Sequence, residues 1–224
     1  MASSPVAAPV EPPALATLAT RLGVTRGDPR GAALLPVQPQ LAGLLPAGGL
    51  RRGSIVRVER SLGLVFALLD RASQTGSWVV AVGMADLGVL AAIEQGVDPA
   101  RFALVPSPGP QWPLVVAALL DAADIVVLRP PGTVSAADTR RLTSRVRDRG
   151  AVLLVLGPWA GAEVVLRSGE FHWYGVGSGY GRLRGARLDV TSTGRGAASR
   201  PRHAVVQFGD IPDPPDPRAE ATAA

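Results

Sequence analysis

A short polar turn between two apolar segments is the first place in this chain where chemistry could occur. Glu59-Arg60-Ser61 follows the apolar run 54–58 and precedes the helix-periodic segment 62–74. Such a strand-to-helix turn holds phosphates when glycine N–H groups wrap them, a lysine reaches them and a Ser or Thr binds Mg²⁺. All 23 Lys and Arg positions here are arginine. The residues therefore favour a solvated turn, with a relic nucleotide site as the alternative.

A second group of chemically versatile side chains lies at 171–182, where both tyrosines of the chain stand among glycines. Aromatic and arginine side chains on a flexible glycine-rich loop can stack on unpaired bases or anchor a protein interface. A protein interface and a cap on the core edge are equally favoured here, and DNA binding less so. The candidate partner-binding residues are Phe171, Trp173, Tyr174, Tyr180 and Arg182.

Trp159 is a further candidate for partner binding, because it follows the apolar run 152–156. Partners and ligands of open α/β sheets gather at the carboxyl ends of the strands. An exposed Trp159 would indicate binding, and a buried one ordinary packing.

Arginines crowd the segment 136–149, which reads as a helix with Ser135 as its N-cap. Leu142 and Val146 belong to its buried stripe, and the arginines cover the other face. Positive charge near a helix C-terminus is favourable, so a solvated face is favoured over a docking surface. These arginines are Arg140, Arg141, Arg145, Arg147 and Arg149.

Composition limits the kinds of site that the chain can build. With 47% hydrophobic and 18% charged residues over 224 positions, the chain is globular. Cysteine is absent, and the two histidines, His172 and His203, make a zinc or histidine-based catalytic site unexpected. The net charge of +5 fits nucleic-acid contact, but a genome that favours arginine codons explains it better. No apolar run is long enough for a membrane helix, and the N-terminus does not resemble a signal peptide, so a cytoplasmic location is expected.

The order of apolar segments predicts the architecture. Strands and helices alternate from residue 54 to residue 156, which is typical of an α/β fold with a mostly parallel sheet. Two later strands, 184–190 and 204–208, are expected to form an antiparallel pair at one side. The chain is thus divided into a flexible Ala/Pro-rich segment 1–35, one domain 36–209 and a disordered acidic Pro-rich tail 210–224.

Four short segments resemble the core of the RecA recombinase family. They are the strand before the turn (53–58), the "GVDPARF" turn (96–102), the "ADIVVLR" strand (123–129) and the "RLDV" strand (187–190). Their order and spacing cover the chain from about residue 41 to residue 208. The resemblance implies a RecA-like core whose phosphate loop would stand at residues 59–61.

The departures from that family concern the catalytic positions. Ser61 falls near the position of the phosphate-loop lysine, and Arg129 replaces the carboxylate that ends the Walker B strand. The glutamate that polarises water falls near Ala85, with Asp86 one residue away. Three parts of phosphoryl-transfer chemistry are therefore missing, so we expect no enzymatic activity and no cofactor. The segment 130–134 is also shorter than the family's first DNA loop.

Among RecA-like proteins without ATPase motifs, the chain is most similar to actinobacterial ImuA-type accessory proteins. The resemblance implies an adaptor in SOS-induced translesion DNA synthesis after DNA damage. Its partner would be an ImuB-like inactive Y-family polymerase homologue, and it would support an error-prone C-family polymerase, with weak binding to single-stranded DNA also permitted. The alternatives are a SulA-like cell-division inhibitor that binds the tubulin-like division protein, and a residual ATPase.

Overall fold

A computed structural model describes residues 33–59, 61–177 and 180–211 of the chain. Arg60 and almost all of the predicted N-terminal segment and C-terminal tail lie outside these residues. In chain order the elements are β1 (Leu34–Leu35), α1 (Pro39–Ala42), β2 (Leu50–Arg51), β3 (Ile55–Glu59), α2 (Leu62–Gln74), β4 (Val79–Val82), α3 (Val89–Glu94), β5 (Phe102–Val105), α4 (Trp112–Ala122), β6 (Ile125–Leu128), α5 (Ala136–Arg149), β7 (Val152–Leu156), β8 (Val164–Gly177), β9 (Tyr180–Gly194) and β10 (Arg202–Gly209).

The main sheet has eight strands in the order β10-β9-β8-β3-β7-β6-β4-β5. From β8 to β5 every neighbouring pair is parallel, and β9 runs antiparallel to both of its neighbours. This is the predicted α/β fold, a mostly parallel sheet with an antiparallel pair at one side, and it is consistent with a RecA-like core. β1 and β2 form a separate two-stranded sheet.

The helix ends follow local signals in the sequence. The Ser61 side chain caps α2 by accepting a hydrogen bond of 3.1 Å from the Leu64 backbone N–H. Ser135 caps α5 in the same way, accepting from the Asp138 N–H at 3.0 Å, as predicted. α5 ends at Gly150, whose φ of +60° is left-handed and favours glycine.

Helices cover both faces of the sheet and enclose two apolar clusters. On one face α2 packs its fully buried Leu64 and Leu68 against strand residues such as Val58. On the other face α4 and α5 pack against the central strands through residues such as Leu120 and Leu142. β4, β6 and most of β7 are buried on both sides, which explains their continuous apolar sequences. In the described part of the chain, no helix is long and apolar enough to cross a membrane.

The segment 171–182 was predicted to be a flexible glycine-rich loop, and that prediction is wrong. Residues 171–177 belong to β8 and residues 180–182 to β9, and the two strands form a long antiparallel hairpin. Gly175 has a φ of +103° and lies at a register shift between Tyr174 and Val176. A Cβ on Gly175 would overlap the backbone of the facing strand, so this glycine serves a bulge within the hairpin.

Candidate functional site

Ion pairs hold Glu59, the last residue of β3 before the turn. The Glu59 carboxylate lies 2.8 Å from the Arg57 guanidinium and 3.0 Å from that of Arg167. The Ser168 hydroxyl donates to the Glu59 carbonyl oxygen at 2.8 Å, which joins the turn to β8. Two guanidinium groups therefore neutralise the only acidic side chain of this turn.

Ser61, which the resemblance to RecA places near the phosphate-loop lysine, has a structural role. Its side chain is buried, with 4% of the residue exposed, and its Oγ accepts the capping hydrogen bond from the α2 backbone. A cap of this kind contributes about 1 kcal/mol to stability. A phosphate at this turn would have to compete with that hydrogen bond without any lysine to attract it.

Arg129, where the resemblance expects the Walker B carboxylate, meets Asp86, which is one residue after the position expected for the water-polarising glutamate. Arg129 follows β6, Asp86 follows β4, and the Arg129 Nη1 lies 2.6 Å from the Asp86 Oδ1. A Cβ on Gly83 would overlap the Arg129 carbonyl oxygen, so glycine allows the two strand ends to approach closely. Across the described ranges, no group of three or more His, Cys, Asp or Glu residues is arranged to hold a metal ion.

An aromatic patch, made of Phe171, Trp173 and Phe208, lies near the start of α2, which follows the turn after β3. The rings of Phe171 and Trp173 are stacked, with centroids 5.4 Å apart and planes inclined by 13°, and Phe208 lies 6.4 Å from Phe171. Trp173 is 61% exposed and Phe171 38% exposed. Phe208 reaches the start of α2 at Gly63, so the patch extends the core of the α2 face out to the surface.

The strand register explains why these rings share a face. Phe171 lies opposite Leu188 on β9, and both Trp173 and Phe208 lie opposite Ala186. Leu188 is buried in the cluster on the α2 face, and Ala186, two positions away on the same strand and therefore on the same side, is buried as well. Residues directly opposite each other in an antiparallel pair point the same way. The inner end of the patch is therefore anchored in the core, and its outer end is open to solvent.

The remaining predicted partner-binding residues are not part of the patch. Tyr174, half-buried, follows Trp173 in the strand and so points to the other face, where the Arg187 guanidinium lies 5.2 Å from its ring centroid. Arg182 is exposed on β9, and the side chain of Tyr180 lies outside the described residues. The structure thus brings together Phe171 and Trp173 from the predicted set and adds Phe208, which the sequence reasoning missed. The alternation of residues 204–208 with a period of two was the sequence signal that could have placed Phe208 on one face of a strand.

Trp159 is buried and does not meet the condition set for a binding residue. It is 5% exposed and belongs to the apolar cluster on the α4 and α5 face. Its indole Nε1 is buried without a hydrogen-bond acceptor in the described part of the chain. Its placement is ordinary packing behind the end of β7, so the prediction that Trp159 forms part of an exposed partner surface is corrected.

Both histidines of the chain approach one carboxylate on the outer face of the hairpin sheet. The Asp189 Oδ1 lies 3.3 Å from the His203 Nε2, and the Asp189 Oδ2 lies 3.7 Å from the His172 Nε2. All three side chains are at least 40% exposed. His172 is therefore an exposed residue that faces a carboxylate.

Comparison with known proteins connects the chain to sequences of unassigned activity. A protein-family model described as "MT3502 N-terminal domain" matches residues 43–161. A protein described as "Uncharacterized protein Rv3395c", from Mycobacterium tuberculosis (strain ATCC 25618 / H37Rv), is 34% identical over 163 residues. That alignment covers 68% of this chain and 80% of the relative. The matched family region contains the turn after β3 and the Arg129–Asp86 pair.

Proposed function

The chain belongs to the MT3502 N-terminal domain family. We propose that it is a non-catalytic RecA-like adaptor. In this proposal it acts in SOS-induced translesion DNA synthesis. It binds an ImuB-like inactive Y-family polymerase homologue through the aromatic patch, and so supports an error-prone C-family polymerase.

The contacts of Glu59, Ser61 and Arg129, at the edge of the sheet where a RecA-type ATPase would hold its nucleotide, support a non-catalytic role. We call this edge the nucleotide edge. Phosphoryl transfer needs a cation, a carboxylate that holds it and a group that orients the nucleophile. In this chain Glu59 is engaged by two arginines, Ser61 caps a helix, and Arg129 occupies Asp86. Each side chain that could serve the chemistry already has a structural partner.

The observation that carries the adaptor proposal is the exposed, stacked pair of Phe171 and Trp173. Exposed tryptophan on a rigid scaffold is typical of the few residues that dominate protein interfaces. Because both rings stand on paired β-strands, binding would order them at small entropic cost. The neighbouring β9 adds the exposed Arg182 and Arg184, which suit an acidic rim on a partner.

The identity of the partner rests on the resemblance to ImuA-type proteins, since the matched relative is described only as uncharacterized. The test is therefore direct binding between the purified chain and the ImuB-like protein of the same genome, measured by biolayer interferometry. We expect binding by the native chain and a loss of about 2 kcal/mol, roughly thirtyfold in Kd, for Trp173→Ala.

A matched control removes an equally exposed apolar side chain that is not part of the patch. Leu90, on α3, is 67% exposed, so Leu90→Ala should leave the affinity unchanged. The proposal is wrong if the two proteins do not bind, or if both variants bind like the native chain. Binding of the tubulin-like division protein instead, sensitive to Trp173→Ala, would favour the SulA-like alternative.

A further inference from the structure

We infer that this chain has a second docking site, a basic cavity that binds a short acidic peptide with an apolar anchor residue. The cavity lies at the edge of the sheet where β3 and β8 begin, opposite to the turn that follows β3. The inference is independent of the proposed function, because it concerns different residues and a different ligand chemistry.

Five separate parts of the chain build the basic cavity. Its volume is about 560 Å³, within the roughly 300–1,000 Å³ typical of ligand sites. The walls come from the segment before and through β2, the start of β3, α5, the start of β8 and the turn after β9. The Arg195 N–H donates to the Glu163 carbonyl oxygen at 3.0 Å, and the Glu163 N–H donates to that of Ile55 at 2.9 Å, so backbone hydrogen bonds fix the walls.

The floor of the cavity is apolar and rigid. It is formed by side chains that are at most 6% exposed and that belong to the packed core of the α2 face. An apolar side chain of a ligand would therefore replace water against preformed hydrocarbon walls, which is favourable at about 25 cal/mol per Å². The floor residues are Leu45, Leu50, Val56, Val164 and Ala198.

The rim of the cavity carries an excess of positive charge. Arg51, Arg147 and Arg195 line it together with one carboxylate, Glu163. Glu163 forms its ion pair with Arg51. Within residues 33–59, 61–177 and 180–211, neither Arg147 nor Arg195 has a carboxylate in ion-pair range, and both are exposed. Two guanidinium groups are thus placed to receive carboxylates at the mouth of an apolar hole.

A shallow groove prolongs this site along α5. It shares Arg147, Gly161 and Arg195 with the basic cavity and adds Arg140 and one carboxylate, Asp148. The Arg195 guanidinium lies against Gly161, where a Cβ would stand 3.1 Å from its Nη2, so it is positioned at the junction of the two spaces. A ligand of several residues, rather than a single small anion, fits a hole continued by a basic groove.

A peptide fits this site better than a nucleic acid does. Proteins that hold single strands combine basic grooves with aromatic side chains on which bases stack. None of the residues that line the basic cavity or the groove is aromatic. The apolar floor suits a leucine-like or isoleucine-like side chain, and the arginine rim suits aspartate or glutamate on either side of it.

The cavity and the aromatic patch lie at different points along β8. Val164 lines the cavity, and Phe171 of the aromatic patch lies seven positions further along the same strand. At about 3.3 Å per residue the two sites are roughly 23 Å apart. Two different protein segments could therefore occupy the cavity and the patch at the same time.

The test uses the full-length chain and a phage-displayed library of random twelve-residue peptides. We expect the selection to enrich peptides in which a leucine or isoleucine is flanked by aspartate and glutamate. The Kd of an enriched synthetic peptide, measured by fluorescence anisotropy, should rise at least tenfold in the double variant Arg147→Glu/Arg195→Glu. Arg141→Glu, an exposed arginine of α5 outside the cavity, should change the Kd less than twofold.

A second variant acts through shape instead of charge. Ala197→Trp places a large side chain at the cavity wall, and it should also weaken the peptide at least tenfold while the melting temperature stays near that of the native chain. The inference is overturned if the enriched peptides are not acidic, or if the double variant and Ala197→Trp both bind them normally. It is also overturned if an oligothymidine displaces the peptide at about 200 mM salt, where weak charge-driven binding of single strands is largely lost, or if sedimentation shows that the double variant dissociates a dimer of this chain.

Discussion

The side chains of Ser61 and Arg129 oppose nucleotide binding at the nucleotide edge. Ser61 has its oxygen engaged by the Leu64 N–H, and Arg129 brings a positive charge to the place where a cation would have to bind. A divalent ion next to Arg129 would meet repulsion, and the Asp86 carboxylate already has a partner 2.6 Å away. These contacts remove the two attractions, for phosphate and for metal, on which tight nucleotide binding depends.

At the residue scale we therefore expect ATP with Mg²⁺ to give no binding heat at micromolar concentrations and no release of phosphate above the buffer blank. Calorimetry and a colorimetric phosphate assay measure these two quantities. Ser61→Ala provides the control, because it removes the hydroxyl and should cost only about 1 kcal/mol of stability through the lost cap. Micromolar affinity for ATP, or hydrolysis that disappears in Ser61→Ala, would contradict the prediction.

The hairpin of β8 and β9 contains residues of two different kinds on one face. Leu188 on β9 is fully buried, and Phe171 lies opposite it on β8. Trp173, two positions after Phe171, is 61% exposed. The exposed ring covers little core area, so its contribution to folding should be small.

At the element scale we expect Trp173→Ala to change the free energy of unfolding by less than about 1 kcal/mol. Leu188→Ala should lower that free energy by about 2–5 kcal/mol, because it leaves a cavity in the core. Urea unfolding of both variants, followed by circular dichroism, makes the comparison. An equal loss in the two variants would instead identify Trp173 as a cap on the core edge.

Elements with local start and stop signals were predictable from the sequence. The α2 helix was placed at residues 62–74 by its apolar period, and the α5 helix by Ser135 and its buried stripe of Leu142 and Val146. β8 was missed because its glycines resemble loop punctuation, whereas Gly175 serves a bulge inside paired strands. The patch could not be assembled either, since Phe208 joins Phe171 only through the register of three strands.

The charge of the whole molecule has consequences for DNA. The net charge is +5, and all 23 basic side chains of the Lys and Arg type are arginines. The basic cavity shows why such patches escape sequence reasoning: Arg51, Arg147 and Arg195 are far apart in the chain and meet only after folding. Arg147 was predicted to be part of a solvated helix face, and the fold places it at the rim of a cavity.

At the scale of the whole molecule we expect weak binding to single-stranded DNA that decreases steeply between about 50 and 200 mM salt. The anisotropy of a labelled oligothymidine titrated with the chain at both salt concentrations measures this. Electron micrographs of the same mixtures should show no regular filaments, because the segment 130–134 is short where recombinases have a DNA loop. Salt-independent binding, or helical filaments, would contradict this expectation.

The Arg129–Asp86 pair also sets how hard it would be to install ATP hydrolysis on this scaffold by stepwise mutation. Replacing Arg129 by aspartate alone would place two carboxylates side by side with no cation between them, and like charges this close repel. Changing the turn at Ser61 first would remove a helix cap before any phosphate could replace it. Each of these two changes, made alone, is expected to lower stability without a gain in ATP hydrolysis. An engineered enzyme would therefore need the turn at Ser61 and the Arg129–Asp86 pair rebuilt together.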